Sequence, residues 1–142
     1  MPQAPTIQVE IVSAEGEMFS GQALAVFVPG SQGELGIYPR HAALLSLLKV
    51  GEARVQTPDG QEQFFFIGGG AVEVQPYKVT ILADTAMRAK DIDEAAALAA
   101  KQRAQEALEE RGGRVTVAEA QAQLINAMVQ LRVLSRLREH KG

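Results

Sequence analysis

The chain has 142 residues, no cysteine, an apolar content of 46%, a charged content of 22% and a net charge of −3. These values argue against global disorder, exclude disulfides and thiolate metal sites, and suit one ordinary domain or a small domain with an appendage. No apolar run approaches the ~20 residues that span a bilayer, and the first residues lack the pattern of a secretory signal. We therefore expect a cytosolic protein.

The first part of the chain has the pattern of short β-strands. Apolar and polar residues alternate from Ile7 to Ile11, which predicts a half-buried strand. Residues 13–21 are interpreted as a polar crossing between strands. Residues 23–28 predict a nearly continuous apolar strand, which Pro29-Gly30 is expected to end.

The stretch of residues 30–45 holds three glycines and a proline, which predicts a loop of specific backbone geometry. A short buried run, Leu44–Leu48, is expected to follow, with a turn at Gly51. Phe64–Phe66 place aromatic rings on both faces of a strand, so both faces are expected to be at least partly covered. Gly68–Gly70 are predicted to form a turn before the next strand.

These signals amount to roughly seven to ten short strands, joined by connections too short for crossover helices. They predict an antiparallel β-sandwich, or flattened barrel, over residues 1–88. Beyond it the composition changes to Ala, Glu, Gln, Arg and Leu. The change predicts a C-terminal two-helix hairpin over residues 89–142, and hence an α+β fold.

Two capping signals mark the helices of the second part. Asp91, with Glu94 three residues later, predicts the start of a helix that ends near Arg111 at a glycine pair. Thr116 and Glu119 predict the start of a second helix. Its apolar positions are expected to form one wide face, made of Val117, Ala120, Leu124, Ala127, Leu131 and Leu134 and widened by Ile125, Met128, Val129, Val133 and Leu137.

Such a hairpin, with a first helix rich in alanine, buries too little surface to be stable alone. It is expected to lie on the sandwich or on another protein. Small-residue faces repack at low cost, so we expect two docked arrangements of similar free energy.

The sequence has no pattern typical of catalysis, of a metal site or of a phosphate-binding loop. Its acidic balance and lack of tryptophan also argue against nucleic-acid binding. We predict a non-catalytic chain with no metal. The last twenty residues are basic, and two interpretations of them stay open: contact with an acidic partner, or cations that suit the end of a helix dipole.

Seven motifs, spread in order over almost the whole chain, resemble the epsilon subunit of bacterial F-type ATP synthase. They are V-S-A-E at 12–15, M-F-S-G at 18–21, G-E-L-G-I-Y-P at 33–39, E-V-Q-P at 73–76, L-A-D-T-A at 82–86, I-D-E-A at 92–95 and Q-L-R-V at 130–133. The resemblance implies a β-sandwich followed by a helical hairpin, which agrees with the architecture predicted from the residues.

The resemblance also implies a non-catalytic rotor subunit that couples the catalytic head to the membrane ring of c subunits and sits on the gamma stalk. In this family the loop containing Glu34, Tyr38 and His41 looks like the part that faces the c-ring. For His41 the alternative is a hydrogen-bonded anchor of the loop. The family usually has glycine where Arg40 stands and proline where Ala43 stands, which leaves the loop conformation to be determined.

The hairpin resembles the family's regulatory element. Folded compactly it leaves the enzyme free, and extended along gamma it blocks rotation and suppresses ATP hydrolysis. In the extended state Arg132, Arg136, Arg138 and Lys141 would meet acidic loops of the beta subunits. The resemblance implies a peripheral subunit on the cytoplasmic face of the bacterial inner membrane.

Some family members bind ATP on the compact hairpin through an I/L-D-x-x-R-A motif. Here Ile92 and Asp93 match that motif, but Ala96 stands where the arginine belongs. Losing a guanidinium removes the group best suited to phosphate. Arg88 and Arg103 are close in sequence and could substitute in part. We predict weak or absent ATP binding, and no other cofactor.

A rival interpretation is a free-standing, ligand-binding β-sandwich whose hairpin is a lid. A lid is expected to close over a polar pocket, whereas the predicted apolar face of the hairpin is wide and its far end is basic. An enzyme is the third interpretation.

Overall fold

The computed structural model describes residues 4–110, 113 and 115–141, and of Lys141 the backbone alone. The chain divides into two compact units, Met1–Arg88 and Ala89–Gly142. The described part of the first unit forms eight strands: β1 Ile7–Ser13, β2 Gly16–Ala23, β3 Ala25–Gly30, β4 Gly33–Ile37, β5 Leu44–Gln56, β6 Glu62–Gln75, β7 Lys78–Ala83 and β8 Ala86–Arg88. The second unit contains a 3₁₀ helix, Ala89–Asp91, and the helices α1 Glu94–Glu109 and α2 Val117–Lys141.

The strands form a sandwich in which β5 and β6 belong to both layers. The strand order is β2-β1-β7-β6-β5-β3-β4, with β8 also paired to β6. One edge of β6 pairs with β7 over residues 70–75 and with β8 over residues 65–67. The first layer is therefore β2, β1, β7 and the adjoining halves of β6 and β5. The second layer contains their other halves with β8, β3 and β4.

The predicted sandwich is thus confirmed, with one difference in strand direction. β1 and β7 pair in parallel, with Val9 opposite Val79 and Ile11 opposite Ile81, while the other pairs are antiparallel. A parallel pair needs a long connection between its strands. Here β2 to β6 provide it, so the local turn signals that predict hairpins could not indicate this pairing.

Gly68–Gly70 do not form the predicted turn, because they lie in the middle of β6. β5 runs beside them without interruption, with Leu48 opposite Gly70 and Val50 opposite Gly68. The expected turn at Gly51 is wrong for the same reason, since Gly51 pairs with Ile67 inside β5. These glycines therefore lie within a bend of two paired strands and not in a turn between strands.

At Gly68–Gly70 the side of β6 that faces the core changes. Phe65, Ile67 and Val72 all lie in one hydrophobic core, although positions 67 and 72 differ by an odd number. Side chains alternate along a strand, so the alternation must break between them. Gly70 has φ 134, and a Cβ there would lie 2.1 Å from the carbonyl oxygen of Leu82. Only glycine fits this bend.

Two further strand predictions need correction. The supposed polar crossing at 13–21 is mostly strand β2, which pairs with β1 as far as Ser13 opposite Gly16. β2 has one neighbour in the sheet and much of it is exposed, so its residues are polar even though its backbone is paired. The strand predicted at 23–28 is β3, which begins at Ala25 and includes Pro29.

Leu44–Leu48 are not a buried run. They begin β5, and of the five only Leu48 is buried, whereas Leu45 and Leu47 are 73% and 69% exposed. Phe64–Phe66, in contrast, are all buried, as their position on both faces of β6 led us to expect. Both Leu44–Leu48 and Phe64–Phe66 are apolar in sequence, so apolarity alone did not show which strand segment is buried and which is exposed.

The first helix begins later than predicted. Asp93 is its N-cap, and the Asp93 carboxylate accepts a hydrogen bond of 3.0 Å from the backbone nitrogen of Ala96. Asp91 ends the preceding 3₁₀ helix, so its capping role was predicted wrongly. The α1 helix ends at Glu109, with Glu110 as its C-cap. The predicted stop near Arg111 lies outside the described residues.

The cap of the second helix is confirmed, because the backbone nitrogen of Glu119 donates to the Thr116 hydroxyl at 3.1 Å. The α1 and α2 helices pack against each other, with the 3₁₀ helix beside α2. Several buried small residues recur every seven positions, which lets two helix backbones approach closely. They are Ala97 and Ala104 on α1, and Ala120 and Ala127 on α2.

The wide apolar face predicted for α2 is buried only in part. Ala120, Ala127, Val129, Val133 and Leu134 are buried, whereas Val117, Ile125 and Met128 remain exposed. A spacing of three and four residues identified the helix, but it overestimated the width of the covered face. In the described part of the chain, neither helix combines the length and apolarity needed to cross a bilayer.

Candidate functional site

Three of the predicted contact residues lie on β4 and in the loop that follows it. Glu34 lies on β4 and Tyr38 directly follows it, and their even spacing puts both on one face of the strand. Tyr38 is 55% exposed. The backbone nitrogen of Arg40 donates to the carbonyl oxygen of Pro76 at 2.8 Å, which ties the loop to the turn between β6 and β7.

Arg40 has φ 65 and is the one non-glycine residue with positive φ in the described part of the chain. This left-handed region suits glycine, the residue that the family resemblance implies for this position. The loop thus keeps a conformation that favours glycine even though arginine occupies the position.

His41 is held within the same loop. Its backbone nitrogen donates to the Tyr38 carbonyl at 3.1 Å, and its ring Nδ1 lies 2.7 Å from the carbonyl oxygen of Ala42. This geometry is that of the loop anchor, the alternative considered for this residue. A contact of His41 with another subunit stays a prediction.

An exposed apolar stripe crosses the outer face of the first layer, and sequence reasoning missed it. Cross-strand register aligns Leu47, Ala71, Leu82 and Val12 on four neighbouring strands. Leu45 lies on the same face of β5, two residues from Leu47. Leu82 is 53% exposed, and the two leucines of β5 are more exposed still. We call these five residues the apolar stripe.

A shallow cleft of about 450 Å³ lies along the stripe and is lined by its members Leu47, Ala71 and Leu82, and by Gly70 and Asp84 among others. A contiguous exposed apolar surface on a soluble domain typically marks an interaction site. The sequence did not indicate this surface, because Leu44–Leu48 were predicted to be buried and the alternation of Lys78–Ala83 left open which of its faces is covered.

An ion pair closes the hairpin at the end where α1 begins and α2 ends. The Arg138 guanidinium lies 2.5 Å from a carboxylate oxygen of Glu94. This hydrogen bond and the attraction between the two opposite charges lower the pKa of the Glu94 carboxyl and raise the pKa of Arg138. Arg132 and Arg136 are also exposed on α2. The Lys141 side chain lies outside the described residues.

The residues of the degenerate ATP motif have other roles in the hairpin. Ile92 is buried, Asp93 caps α1, and Ala96 is exposed. Arg103 instead lines a separate groove of about 420 Å³ between α1 and α2, together with Ala100, Asn126 and Gln130. Arg103 thus lines this groove without Ile92, Asp93 or Ala96. Within the described residues, no three acidic or histidine side chains cluster in a way that could hold a metal.

Comparison with known proteins identifies the family. Residues 6–89 match the β-sandwich domain, and residues 90–135 the long α-helix domain, of the ATP synthase delta/epsilon chain. The ATP synthase epsilon chain of Nitrosococcus oceani is 57% identical over 98% of this chain and 99% of its own length. The chain belongs to the ATP synthase epsilon chain family. ATP synthase epsilon chain 1 of Methylococcus capsulatus is 59% identical over 98% of this chain and 99% of its own length.

Solved structures agree with the fold of the epsilon chain family. A chain of the mitochondrial ATP synthase of Euglena gracilis gives a TM-score of 0.69 at 18% identity, covering 100% of this chain and 85% of the other. A chain from the central stalk and c-ring of the Tetrahymena thermophila mitochondrial enzyme gives 0.60 at 14% identity, covering 94% of this chain and 99% of the other. The two-part fold is thus found in distant ATP synthases.

Proposed function

We propose that the chain is a non-catalytic central-stalk subunit of an F-type ATP synthase. It couples the catalytic head to the c-ring during proton-driven ATP synthesis, and its hairpin inhibits ATP hydrolysis. The observation that carries this proposal is the match of both units, at more than half identity over nearly the whole chain, to ATP synthase epsilon chains. Its place is peripheral, on the cytoplasmic face of the bacterial inner membrane.

The apolar stripe is the surface we assign to the gamma subunit. Its three leucines are more than half exposed in the isolated chain and lie on neighbouring strands of a paired sheet. Covering a leucine side chain contributes about 1.5–3 kcal/mol. A few such residues on a fixed surface suit a permanent partner better than a transient one.

The other end of the proposed coupling is the loop with Glu34, Tyr38 and His41, which we assign to the c-ring. Two features support a fixed recognition surface: the hydrogen bond that ties Arg40 to Pro76, and the two hydrogen bonds that hold His41 in place. Because the loop is held before a partner arrives, docking costs little conformational entropy. Glu34 and Tyr38 remain exposed for contact.

The hairpin is the proposed inhibitory element, with the compact state as its non-inhibiting form. In that state Arg138 is already paired with Glu94. If Arg132, Arg136, Arg138 and Lys141 are to meet acidic loops of the beta subunits, the pair must first break. The Arg138 guanidinium can pair with Glu94 in the compact state or with the beta subunits in the extended state, but not with both at once. Closure of the hairpin is therefore coupled to its release from the catalytic head.

ATP is not expected to regulate this equilibrium strongly. Ala96 cannot supply the missing guanidinium, and Arg103 lines a groove that the motif residues do not share. We expect ATP binding to be weak or absent, and calorimetry that gave micromolar affinity would contradict this. The acidic balance of the chain supports partners that are proteins and not nucleic acids.

The experiment that tests the function is ATP hydrolysis by the catalytic head reconstituted with the full chain or with residues 1–90. We expect both to bind through gamma and only the full chain to inhibit hydrolysis. A chain that ends near Val129 is expected to relieve inhibition as well, because it lacks the basic residues Arg132, Arg136, Arg138 and Lys141. If both chains bind and neither inhibits, the regulatory role is wrong while the coupling role stands. If neither binds, the proposed function fails.

A further inference from the structure

The outer face of the second layer is organised around one arginine. Arg54 lies on β5, with Phe27 opposite it on β3. The guanidinium carbon of Arg54 sits 4.3 Å from the centre of the Phe27 ring, which is within the range of a cation–π contact. The Phe27 ring in turn meets the Tyr38 ring edge to face, with centroids 6.0 Å apart. A continuous contact therefore leads from Arg54 to Tyr38.

The same guanidinium is surrounded by carboxylates from three strands. Its nitrogens lie 3.4 Å from an oxygen of Glu34, 3.8 Å from Glu52 and 3.6 Å from Glu62. The planar arginine fork has five N–H donors, so one residue can serve several acceptors at once. The Arg54 side chain is mostly covered, at 21% exposure, whereas Glu34 is 61% exposed. Arg54 is therefore the fixed member of this group, and Glu34 the accessible one.

Gly36 allows the Phe27 and Tyr38 rings to lie close together. Gly36 pairs with Phe27 on the neighbouring strand, and a Cβ there would lie 3.1 Å from the Phe27 ring and 3.6 Å from the Tyr38 ring. Without a side chain at this position the two rings can meet over the strand. Glu34 and Tyr38 are roughly 13 Å apart along β4 by strand geometry. Arg54 reaches one of them directly and the other through Phe27.

We infer that Arg54 is the positioning residue of the proposed c-ring contact, fixing Glu34 by charge and the Tyr38 ring through Phe27. Without its guanidinium the three carboxylates repel one another, and the most exposed, Glu34, turns toward solvent. This inference rests on the proposed function, because it assigns a geometry to Glu34 and Tyr38 as contact residues. It adds a partly buried residue that acts on the c-ring contact only through Glu34 and Tyr38.

The test is a double-mutant cycle of Arg54→Ala and Glu34→Gln in the reconstituted membrane enzyme, with protons pumped per ATP hydrolysed as the readout. We expect each single variant to lower this ratio, because each removes the ion pair between Arg54 and Glu34. The double variant is expected to fall no lower than the worse single variant, because both changes remove the same contact. Arg54→Lys keeps the charge but not the fork, so partial rescue is expected.

Lys78→Ala is the matched control. Lys78 forms an exposed ion pair with Glu10 at 3.3 Å in the first layer, so its loss is expected to leave the pumping ratio unchanged. If Arg54→Ala fails to assemble, Arg54→Lys is used with Glu34→Gln in the same cycle. Additive losses, or Arg54→Ala with normal pumping beside a defective Glu34→Gln, would overturn the inference alone. Normal pumping by both Glu34→Gln and a Tyr38→Ala variant would instead remove the proposed ring contact.

Discussion

The sandwich and the hairpin are stabilised in different ways. The sandwich buries large side chains such as Phe65, Ile67 and Ile81 completely within a ladder of paired strands. In the hairpin, α1 and α2 pack against each other largely through buried alanines, and the exposed ion pair of Glu94 and Arg138 links the two helices at one end. Large interlocking side chains define one arrangement, whereas small ones define it weakly. The difference fits a fixed platform joined to an element that changes state.

The largest expected effect tests the platform. Phe65→Ala removes a fully buried ring that packs edge to face on Phe19, 5.9 Å away between centroids. We expect a loss of about 3–5 kcal/mol in the free energy of unfolding of the sandwich, since the core cannot refill the cavity. Hydrogen exchange of the β-strand amides in the full chain measures it, with Phe65→Leu as the milder control. A loss below about 1 kcal/mol would mean that the core is not tightly packed.

The second prediction compares binding through the two units. Leu82→Glu in the apolar stripe is expected to weaken gamma binding at least tenfold, because it exchanges about 1.5–3 kcal/mol of apolar burial for a charge. Leu98→Glu on α1 is a matched control, since Leu98 is 49% exposed and Leu82 is 53% exposed. Affinity for gamma is measured by titration. Equal losses for both variants would place binding on both units and contradict the stripe assignment.

A smaller effect is expected at the loop. Arg40 adopts a left-handed conformation that costs an arginine about 1 kcal/mol more than a glycine. Arg40→Gly relieves that strain but gains freedom in the unfolded chain, so we expect a net stabilisation of at most about 1 kcal/mol. Thermal unfolding of the full chain measures it. Arg40→Ala keeps the strain and is expected to give no gain; a gain equal to that of glycine would show that the backbone is unstrained.

The smallest effect concerns pH and the hairpin. The pKa of Glu94 is lowered in the folded chain by Arg138, so the pair stabilises the hairpin above the unfolded value of about 4.3. That contribution is lost as pH falls through the lower folded pKa. Helix content followed by circular dichroism is expected to fall less on acidification in Glu94→Gln, which lacks this titration. Identical acid profiles would show that the pair does not stabilise the compact hairpin.

Local signals in the sequence were sufficient where one residue acts on its nearest neighbours. The alternation from Ile7 to Ile11 identified β1, and Thr116 identified the start of α2. They failed where a distant strand decides the outcome. Gly68–Gly70 have the composition of a turn, yet β5 beside them keeps them in a strand. Asp91 and Asp93 were both suitable caps, and the 3₁₀ turn before α1 selected the second.

The candidate surfaces were less predictable than the fold. Glu34, Tyr38 and His41 could be named because the segment that holds them resembles the family's ring-facing loop, but Arg54 is twenty residues from Glu34 and gave no signal of its own. The apolar stripe was missed for a related reason. Whether a leucine such as Leu45 faces the core or solvent depends on the strand bend at the glycines, which no local pattern encodes.

The passage of β5 and β6 through both layers has a mechanical consequence. The apolar stripe includes residues from the first half of β5 and the second half of β6. Arg54 lies near the other end of β5, and Glu34 lies on β4, which pairs with the β3 neighbour of β5. Under the proposed function, torque entering at gamma reaches the ring contact along continuous covalent backbone, with cross-strand hydrogen bonds resisting shear. No sliding interface between layers lies on that route, so the subunit can act as a stiff transmission element in a rotating shaft.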